Sequence, residues 1–257
     1  MILCFDIGNS STSGALFNET EHAPAFVFHF PTVKSSSEKD IAARVTRSVK
    51  EVLGDTPLSL SGMAFASVVP ELNAAYLSMS EAVFGITAHE ISCASRLNIT
   101  IGYHDPAQLG ADRIANAAAG FNEYGGDILI VDMGTAVTFC VILTGGKFDG
   151  GVIAPGIDTA IRGLAQRASR LPEVPIEKPD RVAARDTVNA LKSGFYYGWI
   201  SLVEGIISRI ENEYGKQFTV IMTGGHAILF SQDMTRPHVV DTLLALKGIR
   251  LIYELNR

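Results

Sequence analysis

An internal echo constrains the fold of this chain more than any other feature. Ile2-Leu3-Cys4-Phe5 is a short apolar run that ends in Asp6-Ile7-Gly8-Asn9-Ser10. Far downstream, Ile128-Leu129-Ile130-Val131 ends in Asp132-Met133-Gly134-Thr135. Each copy reads as a buried strand, an acid, a glycine turn with hydroxyl or amide residues, and a second strand, at roughly 12–17 and 136–143. Two copies are too few for a solenoid. They predict two related lobes, each opening with a hairpin. The chain has 257 residues, 47% of them hydrophobic and 19% charged, which is enough to bury a core in each lobe.

Further strands are expected at 26–30, 62–68, 88–91 and 218–222. Helical spacing covers 37–53, 71–84 and 110–121, the first with Ile41, Val45, Val49 and Val52 on one face behind capping serines. The second lobe opens near Gly126, and Gly145-Gly146 marks a hairpin turn. Asp158 is expected to cap a helix running to about Arg170. The prolines at 172, 175 and 179 make 171–179 a loop. Asp186 starts a long helix to about Tyr214, with Val188, Leu191, Phe195, Leu202, Val203, Ile206 and Ile210 predicted to face inward. The apolar tail 243–252 can pack back on the body. This gives lobes of 1–122 and 123–257, the tail being able to return to the first.

The net charge of −6 argues against a nucleic-acid footprint. It leaves anionic ligands open, because backbone N–H groups can build a phosphate site with few cations. Cys4, Cys93 and Cys140 have no disulfide or zinc spacing. No export signal or membrane-length apolar run is visible, so the cytoplasm is the expected location.

Several short motifs carry chemistry. Asp6-x-Gly8-Asn9-Ser10 suits a phosphate-binding hairpin, with glycine for close approach and a carboxylate to hold magnesium, often through water. Asp132-x-Gly134-Thr135 repeats that chemistry, and two such loops could grip a polyphosphate from both sides. A lone Asp-x-Gly turn is usually only a hairpin; the pair is harder to explain that way. Thr223-Gly224-Gly225 follows a strand, where glycines would let a nucleoside lie against the backbone. The competing reading is a plain strand-ending turn. Gly110-Ala111-Asp112-Arg113 opens a helix. Its acid could serve as a general base towards a hydroxyl, and its arginine could fix a carboxylate or phosphate. Standing alone, the tetrapeptide would read as an Asp cap and a surface Arg. Gly194-x-x-x-Gly198 on the long helix means tight packing, within a subunit or across a dimer.

Taken together, the set resembles the type III pantothenate kinases, a branch of the actin, Hsp70 and sugar-kinase superfamily. The matching segments are 6–10, Tyr103 with 110–113, 132–138, 150–156, Leu171-Pro172, 187–194, 223–225 and 243–248. The resemblance implies an α/β fold of two actin-like, ribonuclease H-like lobes. Each would have a mixed sheet and flanking helices, with an ATP cleft between the lobes. It implies ATP-dependent phosphorylation of pantothenate to 4′-phosphopantothenate, which commits the vitamin to coenzyme A synthesis. Asp112 would be the catalytic base. Tyr103, Gly110, Ala111, Arg113 and Thr187 would hold pantothenate. Asp6, Ile7, Gly8, Asn9, Ser10, Ser11, Thr12, Ser13, Thr135, Gly224 and Gly225 would hold ATP, with Asp6 serving magnesium and Asp132 a monovalent cation, potassium or ammonium. The family pattern is also a homodimer with pantothenate near the subunit boundary. Two residues depart from it. Cys140 stands where many relatives have aspartate, and a thiol is a poorer ligand for a hard cation. Asp186 stands where asparagine is usual. The rival readings are an accessory factor in gene regulation with weak phosphotransfer, a kinase for another small alcohol, and a polyphosphate or nucleotide hydrolase.

Overall fold

The computed structural model describes residues 1–54 and 59–257. Its residues fall into two compact units: Met1–Glu123 with Gly146–Phe148 and Leu243–Arg257, and Tyr124–Gly145 with Asp149–Thr242.

The first unit holds strands β1 (Ile2–Ile7), β2 (Ser11–Phe17), β3 (Phe26–Pro31), β4 (Gly62–Ser67) and β5 (His89–Glu90). They form one sheet in the order β3-β2-β1-β4-β5. The β1–β2 and β2–β3 pairs are antiparallel; β1–β4 and β4–β5 are parallel. Side chains alternate across a strand. Leu3, Phe5 and Ile7 therefore enter one core with Ile41, Val45 and Val49 of α1 (Glu38–Leu53) and Leu72, Tyr76 and Met79 of α2 (Pro70–Phe84). Ser37 caps α1 through a reciprocal bond with Asp40. The alternate residues, Ile2 and Cys4, face the other way and are equally buried. Burial pushes the Cys4 thiol up, and on that face Arg250 of α7 (Leu244–Asn256) lowers it while Glu254 raises it. Helix α3 (Ala111–Tyr124) crosses α7 so closely that a Cβ on Gly248 would collide with the backbone of Ala115. Thr100 and Ile101, which form β6, pair with Lys147 and Phe148.

The second unit repeats this plan. Its strands are β7 (Ile128–Met133), β8 (Ala136–Leu143), β9 (Lys147–Pro155), β10 (Thr219–Thr223) and β11 (Val239–Val240). Their order is β11-β10-β7-β8-β9, with β7–β8 antiparallel and β7–β10 and β10–β11 parallel. Read from β9, this is the first sheet again, so the echo in the sequence is a duplicated sheet in the fold. Leu129, Val131 and Met133 pack against Ile157 and Ile161 of α4 (Ile157–Arg167), Ala227 and Phe230 of α6 (Ala227–Ser231), and the long α5 (Thr187–Tyr214).

Two details of this unit correct the sequence reading. Gly156 occupies the N-cap of α4, Asp158 lies inside its first turn, and the helix ends at Arg167. In α5 the buried apolar residues are Tyr196, Ile200, Val203, Ile207 and Ile210, while Val188 is exposed and Phe195, Leu202 and Ile206 are only partly buried. The inward stripe is thus rotated from the predicted one. The mixed α/β plan in two sheets agrees with the expected fold class. Among the described residues no helix is long and apolar enough to cross a membrane.

Candidate functional site

In the first unit the β1–β2 turn consists of Gly8, Asn9 and Ser10. The Gly8 N–H donates to the Ser11 carbonyl at 3.0 Å. A Cβ on Gly8 would stand only 3.0 Å from that oxygen, so the tight turn favours glycine. Asn9, Ser10 and Ser11 are exposed, and Asp6 pairs in register with Ser13 across the hairpin. Ser13 Oγ lies 2.9 Å from His29 Nδ1. Ile7 and Thr12 point their side chains inward, and the Thr12 hydroxyl meets that of Thr32 at 2.8 Å. The turn therefore presents a small exposed rim of polar groups beside one acid.

In the second unit the equivalent turn is Gly134-Thr135, one residue shorter, and the acid is Asp132. Asp132 pairs with Thr138 on one side and Thr223 on the other, which sets Gly224 and Gly225 beside it. Gly224 has φ 90°, which L side chains rarely adopt. A Cβ there would collide with Asp132 Oδ1 and stand 2.7 Å from the Met133 nitrogen. A Cβ on Gly156 would strike the Gly134 and Thr135 carbonyls. The Gly156 N–H and the Thr159 hydroxyl both donate to the Thr135 carbonyl, at 3.1 and 2.9 Å. The glycine turn after β10 thus closes on Asp132, and the N-cap of α4 on the adjoining Gly134-Thr135 turn, both through side-chain-free positions. Such a place suits a phosphate, which accepts from backbone N–H groups. Cys140 pairs with Ile130, well inside the hairpin, and is buried.

The Gly110–Arg113 segment lies at the start of α3 in the first unit. Asp112 Oδ1 accepts the Arg113 N–H at 2.7 Å. Burial lifts the Asp112 carboxyl above its ordinary value, and the Arg113 N–H and guanidinium oppose this only in part. Gly110 leaves room for this acid: a Cβ there would be 2.5 Å from Oδ1. Arg113 is 5% exposed. Its guanidinium stands 5.6 Å from the Tyr103 ring centre and 5.4 Å from that of Phe148. The surface arginine that an isolated motif would suggest is therefore a buried cation held by two aromatic rings. Thr187 belongs to the other unit. It is the exposed first residue of α5, and Asp186 caps that helix by accepting the Asn189 N–H at 2.9 Å.

The first unit thus holds a half-buried, perturbed acid beside a fixed cation, and each unit carries its own acid–glycine turn. The family model of type III pantothenate kinase matches residues 2–209. The chain belongs to the type III pantothenate kinases. It is 38% identical to the type III pantothenate kinase of Brevibacillus brevis over 262 residues, covering all of both chains. It is 35% identical to the protein of the same name from Shouchella clausii, again over the full length of both. A ROK-family glucokinase from Streptomyces griseus, solved with glucose and AMPPNP, superposes with a TM-score of 0.56 at 12% identity over 100% of this chain and 99% of that one. That likeness concerns the fold alone.

Sequence reasoning about this kinase missed Phe148 and His226, and gave Asp158 only as a helix cap. Phe148 follows a Gly-Gly turn and reads as an ordinary strand residue; nothing local ties it to Arg113. Gly156 was visible within the matching segment 150–156, but its role depends on contact with a distant turn. The His226–Asp158 pair spans many residues and has no local signature.

Proposed function

We propose that the chain transfers the γ-phosphoryl group of ATP to the hydroxyl of pantothenate, giving 4′-phosphopantothenate and ADP at the entry to coenzyme A biosynthesis. The observation that carries this reading is the half-buried Asp112 beside the immobilised Arg113, in a chain of pantothenate kinase family. Asp112 accepts the hydroxyl proton, the hydroxyl oxygen bonds to the γ-phosphorus, and the bond to the bridging oxygen breaks. Phosphoryl transfer needs positioning and charge stabilisation more than covalent help. A base raised by burial is matched to that task, because its basicity lies nearer working pH. Arg113 fixes the pantothenate carboxylate, with Tyr103 beside it and Gly110 and Ala111 leaving space for close approach.

The exposed rim Gly8–Ser11, with Asp6 and Ser13, and the Thr135 and Gly224-Gly225 turns hold ATP. Among the described residues no three His, Cys, Asp or Glu side chains are grouped to hold a metal. A single carboxylate still fits magnesium, which keeps several waters and takes its other ligands from phosphates. Asp6 would hold that ion, which neutralises phosphate charge when bound. Asp132, with oxygen donors from the glycine turns around it, suits potassium or ammonium; Cys140, buried down the strand, adds no hard ligand. We further propose a cytoplasmic homodimer in which Thr187 reaches pantothenate beside the subunit contact. Gly194 and Gly198 are exposed on α5, and with Val182 and Tyr197 they line an open recess that a second copy could fill.

The test is ADP release measured with and without pantothenate, with the product identified by mass. Release that depends on pantothenate, with stoichiometric 4′-phosphopantothenate, supports the proposal. Turnover without pantothenate favours a hydrolase, turnover only with another alcohol favours a different acceptor, and no turnover favours the regulatory reading.

A further inference from the structure

His226 connects three parts of the second unit. Its backbone N–H donates to the carbonyl of Met133, the last residue of β7 and next after Asp132, at 3.3 Å. Its Nε2 lies 2.9 Å from Asp158 Oδ2. Its ring meets Phe230 edge-on, with centres 6.3 Å apart and planes at 73°. His226 directly follows Gly224-Gly225, and Asp158 lies in the first turn of α4, whose Gly156 and Thr159 both bond the Thr135 carbonyl. The imidazole therefore ties the glycine turn after β10 to the helix turn that braces Thr135.

The pairing has an electrostatic side. The first turn of a helix attracts anions through its N–H groups. A carboxylate in that turn competes with any phosphate drawn there. The two side chains are 26% and 51% exposed, so solvent screens the pair and its effect is modest. We propose that His226 is a positioning residue for nucleotide: it fixes the Gly224-Gly225 turn against α4 and, by donating its Nε2–H to Asp158, partly masks that carboxylate as the triphosphate approaches Thr135. This inference rests on the reading that Asp132, Thr135 and the glycine turn hold ATP.

The two roles have different signatures in steady-state kinetics with ATP and pantothenate varied separately. For His226→Ala the KM for ATP should rise about three- to fivefold, the range open to a screened pair, with kcat and the KM for pantothenate much less affected. Asp158→Asn should leave the KM for ATP at or below that of wild type, since it removes the repelling charge. The double variant should return towards Asp158→Asn. Thermal melting of each variant checks folding, and Asp158→Asn, which keeps the shape, serves if His226→Ala is unstable. A KM for ATP raised equally by Asp158→Asn and by His226→Ala overturns the charge-masking role. An unchanged KM in His226→Ala overturns the proposal altogether. Asp132→Asn, measured in parallel, reports on the underlying reading: if it leaves ATP kinetics untouched, the ATP site is misplaced whatever His226 does.

Discussion

Substituting Asp112 by Asn tests the central assignment. The local geometry should survive, because the amide oxygen of Asn can accept the Arg113 N–H as Oδ1 does at 2.7 Å. What is lost is proton acceptance. A positioned base contributes roughly 10²–10⁴-fold, or about 2.7–5.5 kcal/mol of barrier at 1.36 kcal/mol per decade. Phosphoryl transfer leans on its base less than proton abstraction does, so the lower end is appropriate and kcat should fall at least ~100-fold. The assay is coupled ADP release at saturating substrates, with ATP affinity followed by calorimetry and expected to stay near wild type. The raised pKa adds two consequences. The wild-type kcat/KM should gain activity with rising pH along an acid limb above the ordinary Asp value of 3.8. In stability, the folded state holds the Asp112 proton more tightly than the unfolded chain does. Its contribution is therefore present in acid and lost as pH rises through the folded value. Near neutral pH Asp112→Asn should melt higher than wild type, and the gain should shrink in acid. Turnover within about threefold of wild type would refute the base; a lower melting temperature at neutral pH would refute the desolvation argument.

Replacing potassium by sodium should slow wild type more than Asp132→Asn, and equal sensitivity in a rate assay would count against the cation role. Gly198→Trp places a bulky ring on the exposed face of α5 and should yield monomers on size exclusion that have lost pantothenate turnover. A folded, fully active monomer would remove Thr187 from the substrate site. Gly248→Ala drives a methyl into the Ala115 backbone and should destabilise the fold by about 1–3 kcal/mol by the usual scale of overpacking, measured by denaturant unfolding; an unchanged midpoint would mean that α3 and α7 can separate freely.

The hairpins at Asp6 and Asp132 were legible because each combines a short apolar run with a glycine turn, a purely local signal. Helix α1 was equally plain, since Ile41, Val45 and Val49 leave one apolar face opposite charged residues. The phase of α5 was not. That helix is apolar on several sides, with Phe195, Trp199 and Leu202 flanking the true stripe, so spacing alone could not choose the inward face. The two-residue strands β6 and β11 are shorter than any periodicity can register. In the candidate site, Asp112 and the glycine turns could be named from motif and family resemblance. The burial of Arg113 could not, because it depends on Tyr103 and Phe148, which only the folded chain brings to it. Glu211 is a similar case: a buried acid near the end of α5, paired with Arg236 from beyond β10.

Helix α7 carries a consequence for how the chain is made. It belongs with the first unit, yet in the order of synthesis it follows the whole of the second. While the ribosome is still adding residues 124–242, the first sheet has not received α7, which packs on β1 and β4 and buries its own Leu246, Ile249 and Ile252. The first unit thus waits with one apolar wall uncovered, in a cell where nascent domains tend to fold as they emerge. Ribosome-stalled chains arrested before Leu244 should accordingly be more protease-sensitive in residues 1–123 than chains released after Asn256.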